Sequence, residues 1–295
     1  MTPTLVGQHL PRTGHGPVGH GPTGHGPRVD RRARARDWSE IQERMLVPLY
    51  EAVYRRLDVG PATRLLGLGC GSGLALLMAA SRGAAVTGVD TSSDRLAHAR
   101  ERLRPAGRKP RAPGRADTRI VDGSPGAART DTTGYTVVTA FEPIGCRAGD
   151  AEELGALLAE ATPLAGRGAA VVLTGWGPPE RCATASVLRV ATRLAEPVRG
   201  TGTWRPAHRD DLEQVAQRAG LRPDGSGRVA CPFGYADVNS AVRGLLSTGL
   251  FDPAITATDQ VQVHKELAEA LHPYQRQDGT VWMPNVFRYL IARTP

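Results

Sequence analysis

The chain has 295 residues, 40% of them hydrophobic, and a formal net charge of +8, which suits one α/β domain with additions. No apolar run approaches membrane-spanning length and the N-terminus lacks the apolar core of a secretory signal, so a cytoplasmic protein without membrane contact is expected. Cys70, Cys146, Cys182 and Cys231 are scattered with no C-x-x-C pair, which argues against zinc or redox chemistry, and no metal site is expected.

In chain order, Gly14-His-Gly-Pro17, Gly19-His-Gly-Pro22 and Gly24-His-Gly-Pro27 repeat with nothing to bury, so residues 1–30 read as a disordered tail. Its His15, His20 and His25 sit on a flexible chain that would lose much entropy to hold a metal. Residues 31–295 form the folded domain. Ala35 to Leu57 reads as helical, with Ile41, Met45, Leu46, Leu49 and Val53 as an apolar stripe that Pro48 kinks or divides.

The stretch Arg64-Leu-Leu-Gly-Leu-Gly-Cys-Gly-Ser-Gly-Leu-Ala-Leu-Leu-Met78 is a short apolar strand running through a glycine turn into a buried helix. Glycine lets backbone bend sharply and approach a ligand, and the free amides of a helix N-terminus bind polar groups. The G-x-G-x-x-G fingerprint of dinucleotide sites fails in every register, because its sixth position is Ser72, Leu74 or Leu76. The alternation Gly67, Gly69, Gly71, Gly73 instead resembles motif I of the class I S-adenosylmethionine (SAM)-dependent methyltransferases, in particular the small-molecule type related to the quinone-biosynthesis methyltransferases.

That resemblance orders the rest. Ala85-Val-Thr-Gly-Val-Asp90 reads as a second strand, followed by Thr91 and Ser92 as N-cap candidates and a helix through Leu96, Ala99 and Leu103. Thr118-Arg-Ile-Val-Asp-Gly123 looks like the third strand, Tyr135-Thr-Val-Val-Thr-Ala-Phe-Glu142 the fourth and Gly168-Ala-Ala-Val-Val-Leu-Thr-Gly-Trp-Gly-Pro-Pro179 the fifth with its loop. Helical patterns follow at Ala183–Leu194, Arg209–Ala219, Ala236–Leu246 and Gln260–Leu271, with a sixth strand suggested at Arg228–Phe233 and an antiparallel closing strand at Asn285–Arg293. The implied fold is α/β: a Rossmann-like, doubly wound seven-stranded sheet with the last strand antiparallel. Lid helices in 31–60 and substrate-covering helices in 178–277 would be added to it.

The resemblance implies SAM as cofactor, held by Gly67, Gly69, Cys70, Gly71 and Gly73. Asp90 would accept from both ribose hydroxyls, with Thr91 beside it, because a carboxylate offers two acceptor oxygens. Asp122 and Gly123 would border the adenine, Phe141 would wall the reacting centre, and Trp38, with Gln42 and Tyr50, would belong to the lid. Two positions depart from the family pattern: Gly67 stands where an acid usually helps hold the methionine end, and Thr136 replaces the usual acid before the fourth strand.

Methyl transfer is expected to a small-molecule metabolite. Glu142, His208, His264 and His272 are the candidates for a base, and no catalytic residue is assigned. Two alternatives keep the fold: a non-methylating SAM reaction such as a cyclisation, and a non-catalytic module binding RNA or an acidic partner. Nucleic acid is disfavoured, because the arginine runs Arg28–Arg36 and Arg100–Arg119 lack interleaved aromatics and read as solvated surface. A homodimer is the oligomer to test for.

Overall fold

Apolar runs that must be covered on both faces become the inner strands of a mixed sheet in a computed structural model, which describes residues 30–104, 117–129, 134–195 and 207–295. The chain enters through α1 (Arg31–Asp37) and α2 (Val47–Arg56), then alternates β1 (Arg64–Leu68), α3 (Leu74–Ser81), β2 (Ala85–Asp90), α4 (Ser93–Arg102) and β3 (Thr118–Asp122). It continues through β4 (Tyr135–Ile144), α5 (Asp150–Ala161), β5 (Ala165–Trp176), α6 (Thr184–Ala195), α7 (Asp211–Arg218), β6 (Arg222–Ala230) and β7 (Phe233–Tyr235). The last elements are α8 (Val238–Leu246), α9 (Asp252–Ala257), α10 (Gln260–Leu271), β8 (Val281–Met283) and β9 (Val286–Arg293).

The seven-stranded sheet has the order β3-β2-β1-β4-β5-β9-β6. Strands β3 to β5 run parallel, while β9 is antiparallel to both of its neighbours. The Rossmann-like sheet and the antiparallel last strand are thus as expected, with β9 lying between β5 and β6 rather than at the edge. Alternate side chains feed two cores. Leu65 and Val86 join Leu49, Leu76, Leu188, Leu245 and Leu267 on one face. On the other, Leu66 and Val89 join Leu154, Leu158, Leu212 and Val215.

Two expectations change. The sixth sheet strand is Arg222–Ala230 rather than Arg228–Phe233, and Phe233 belongs to a separate two-stranded ribbon of β7 and β8. Pro232 follows Cys231 and has no N–H for a ladder, so pairing with β9 stops at Ala230. The helical run from Ala35 is broken into α1, a π turn at Trp38–Gln42, a 3-10 turn at Glu43–Leu46 and α2. Pro48 sits in the first turn of α2, the one place where its missing N–H costs little. Residues 1–29, with the histidine repeats, lie outside the described residues. Among the described residues, no helix is long and apolar enough to cross a membrane.

Candidate functional site

The glycine turn forms at the carboxyl end of β1. Gly69, Gly71 and Gly73 have φ of 57°, 54° and 79°, a region open to glycine but strained for other residues. The turn is tied to β2 at two points: Cys70 N–H donates to the Val89 carbonyl at 3.0 Å, and Gly71 N–H donates to Asp90 Oδ2 at 2.8 Å. Asp90 Oδ1 accepts from Ser92 N–H at 2.8 Å, while the Ser92 hydroxyl caps α4. One carboxylate therefore fixes both the turn and the start of α4, and its remaining lone pairs are open to a ligand.

Gly67 has a different role, since its φ is not in the left-handed region. A Cβ there would lie 2.9 Å from Leu76 Cδ2, and one on its register partner Gly88 would lie 2.3 Å from Leu76 Cδ1. Two glycines on adjacent strands thus let Leu76 seat α3 close against the sheet, and a side chain at position 67 would require Leu76 to shift. Thr136, the other departure, has its hydroxyl accept from Arg64 N–H at 2.9 Å and so aligns β1 with β4.

The N-terminal segment closes over this turn. A Cβ on Gly71 would meet Trp38 Nε1 at 2.9 Å, so the indole rests directly on the backbone. The Arg95 guanidinium covers the same ring 4.3 Å from its centroid. Glu43, 2% exposed, accepts from Leu74 N–H at the start of α3 at 3.2 Å and pairs with Arg102 at 2.5 Å. Arg102 also donates to the Ser72 carbonyl and the Ser39 hydroxyl, each at 2.8 Å. Burial raises the Glu43 carboxyl above its usual value of 4.5 despite the opposing charge of Arg102. Gln42 accepts from the Tyr235 hydroxyl at 2.9 Å, which fastens the segment to β7.

Two adjoining cavities result. The inner one, about 30 Å³, is lined by Trp38, Glu43, Tyr50, Gly67, Gly69, Cys70, Gly71 and Phe141, among others. The outer one, about 120 Å³, is walled by Trp176, Phe233 and Phe287, with Leu154, Leu157 and Leu250. Trp176 lies 4.6 Å from Phe287 and 6.0 Å from Phe233, ring to ring. Glu142 lines both cavities. It reaches solvent through the mouth, yet protein surrounds it. That burial raises its carboxyl above the ordinary value of 4.5, with Arg95 opposing and Asp90 adding to the rise. The Cys70 thiol is pushed up to about 12 by burial and by Asp90, so it stays protonated at neutral pH.

Of the residues singled out from sequence, Trp38, Gly67, Gly69, Cys70, Gly71 and Phe141 meet in the inner cavity, and Asp90 joins them through Gly71. Gly73 instead packs against α4, where a Cβ would lie 3.0 Å from Ala99 Cβ. Thr91, Asp122 and Gly123 lie outside both cavities, with Asp90 and Asp122 in register on β2 and β3. Glu43, Arg95 and Asp150 gave no sequence signal, and Arg102, in a run read as solvated surface, is instead largely buried because it pairs with Glu43. Asp150 accepts from the amides of Gly145, Cys146 and Arg147 at 2.7, 3.1 and 3.1 Å, so it shapes the loop after β4. Among the described residues, no group of three or more His, Cys, Asp or Glu is placed to hold a metal.

This sheet order, with a glycine turn after β1 and an acid ending β2, is the architecture of a class I methyltransferase. Residues 65–160, about a third of the chain, match the family described as a methyltransferase domain. It is similar in fold to the BH2331 protein of Bacillus halodurans C-125, provisionally described as a methyltransferase, at 14% identity over 83% of this chain and 98% of that one, with a TM-score of 0.51. It is also similar to the YcgJ protein of Bacillus subtilis, at 14% identity over 83% and 98% of the two chains, with a TM-score of 0.50. No curated protein matches the chain.

Proposed function

We propose that the chain binds SAM at the glycine turn and methylates a small, largely apolar acceptor in the aromatic cavity. The observation that supports this reading is an unsatisfied donor: among the described residues, Trp38 Nε1 is buried without a hydrogen-bond partner while resting on the turn, and so is Ser72 Oγ within the turn. Buried polar groups are rarely left so, and a ligand with acceptor atoms would satisfy them. The open lone pairs of Asp90 suit two vicinal hydroxyls, and Asp122, next to it in the sheet, would border the base.

When bound, SAM supplies an activated methyl group on a sulfonium. The protein's part is to bind, orient and exclude water. Tyr50, Phe141 and Trp176 give the two cavities apolar walls. Glu142 stands where they meet, and its raised carboxyl suits it to accept a proton from an acceptor hydroxyl or carbon acid. The inner cavity holds about one water's volume, so the Trp38–Leu46 segment must lift for an adenosyl ligand to enter. Its π and 3-10 turns are poorer in regular helical bonding than α2.

Calorimetry with SAM and S-adenosylhomocysteine tests the reading. Saturable binding is expected, and Asp90→Ala should weaken it by about 1–3 kcal/mol, the range for a lost charged hydrogen bond. No binding of either ligand at millimolar concentration would reject it.

A further inference from the structure

Beside the aromatic wall lies a groove of about 710 Å³ that the methyl-transfer reading does not use. Trp176 forms one side of it, and Arg181, His208, Arg209, Arg228 and Arg288 are among the other lining residues. Arg228 on β6 and Arg288 on β9 stand directly opposite each other in register. Like charges so placed weaken a strand pair, and an anionic counterpart between them would relieve the repulsion. Glu213 answers Arg288 at 2.7 Å. Nothing answers the others: among the described residues, the guanidinium groups of Arg181, Arg209 and Arg228 make no hydrogen bond or ion pair. Glu180 is the one acid among the residues lining this groove, while Asp210 and Glu213 line an adjoining one with Arg209, Arg228 and Arg288.

Position strengthens the point. β6 runs parallel in direction to β5, and β9 runs against both, so the end of β6 and the start of β9 lie at the same sheet edge as Trp176. Trp176 lines this groove and the outer cavity alike, so one indole separates an apolar chamber from a cluster of free guanidinium groups. We propose that the groove is the docking site for a phosphate or carboxylate on the acceptor, whose apolar part passes Trp176 into the aromatic cavity. The assignment of that apolar part as the methylated end rests on the methyltransferase reading; the anion site does not. Guanidinium groups suit such oxyanions because their forked donors match two oxygens at once.

Titration calorimetry of the full chain at constant ionic strength, with inorganic phosphate and with hexyl phosphate as probes, tests this. Hexyl phosphate should bind one per chain and about tenfold tighter than phosphate, as burial of a few methylenes implies. Arg181→Gln and Arg228→Gln should each weaken both probes by about fivefold or more, as loss of a charge-assisted contact implies. S-adenosylhomocysteine affinity should not change in either variant. Trp176→Leu should remove the advantage of the hexyl tail and leave inorganic phosphate binding intact. The proposal is overturned if the tail confers no advantage, if the arginine variants bind as wild type does, or if a short RNA binds with steep salt dependence while hexyl phosphate does not. Should hexyl phosphate behave as stated while S-adenosylhomocysteine fails to bind, the anion site stands and the methyltransferase reading falls. With the converse result, the methyltransferase reading stands and the anion site falls.

Discussion

The two halves of the sheet build their share of the site in opposite ways. In the half formed by β3, β2, β1 and β4, the glycine turn is shaped by backbone amides and a carboxylate drawn from nearly consecutive residues at parallel strand ends, as at Gly69 to Gly71 and Asp90 to Ser92. In the half formed by β5, β9 and β6 with the β7–β8 ribbon, the site is side chains from distant segments: Trp176, Phe233 and Phe287 meet across more than a hundred residues of chain. The first half is polar and acidic, the second aromatic and basic. The glycine-turn half can be encoded in one short motif because its geometry is set by neighbouring backbone, whereas the aromatic half depends on long-range packing.

The most severe test of this contrast is Phe287→Ala. Phe287 is fully buried in the aromatic wall, so truncation should cost about 3–5 kcal/mol of stability, the usual range for a core aromatic. Urea denaturation measures it, and a loss under about 1 kcal/mol would mean the wall is not part of the core. Next is the clasp that joins the N-terminal segment to the glycine-turn half. Arg102→Met leaves Glu43 buried beside the start of α3 without its cation, which should cost about 3 kcal/mol and release the segment. Faster hydrogen exchange of the amides at 38–46, with the sheet still protected, is the expected signature; unchanged exchange would show that the clasp does not hold the segment.

The smallest effect belongs to Glu142, at the seam between the halves. Its folded carboxyl is raised above the unfolded value of 4.5, so the native state binds the extra proton. Its contribution to stability is therefore greatest at low pH and falls as pH climbs from about 4.5 through the raised folded value. Glu142→Gln should remove that fall, raising Tm at pH 7 relative to wild type while leaving it unchanged near pH 4. An equal shift at both pH values would show that the carboxyl does not titrate differently in the native state.

Local order was legible where the physics is local. The run Arg64 to Met78 shows a strand, a turn and a helix because left-handed glycines and apolar spacing are properties of neighbouring residues, and Ser92 caps its helix from within the same tripeptide-scale neighbourhood. The strand Arg222–Ala230 was misplaced because Pro223, Gly225 and Gly227 give it no strand pattern. A Cβ at Gly227 would lie 2.5 Å from the Tyr289 ring, so glycine there serves a partner some sixty residues further along. Glu43 carries no mark in the sequence, since its partners Leu74 and Arg102 come from other elements.

The sequence by itself determined the first five strands in their order, the glycine turn and the acid that ends the second strand, because each follows from torsional freedom and periodicity within a few residues. Only the tertiary structure decided that Leu76 packs against Gly67 and Gly88, that Trp38 lies on the turn with its indole N–H unpaired among the described residues, and that arginines from four separate segments face one groove. Those outcomes depend on close packing and on charges brought together over long loops, and such distances are set by the fold as a whole rather than by any stretch of chain.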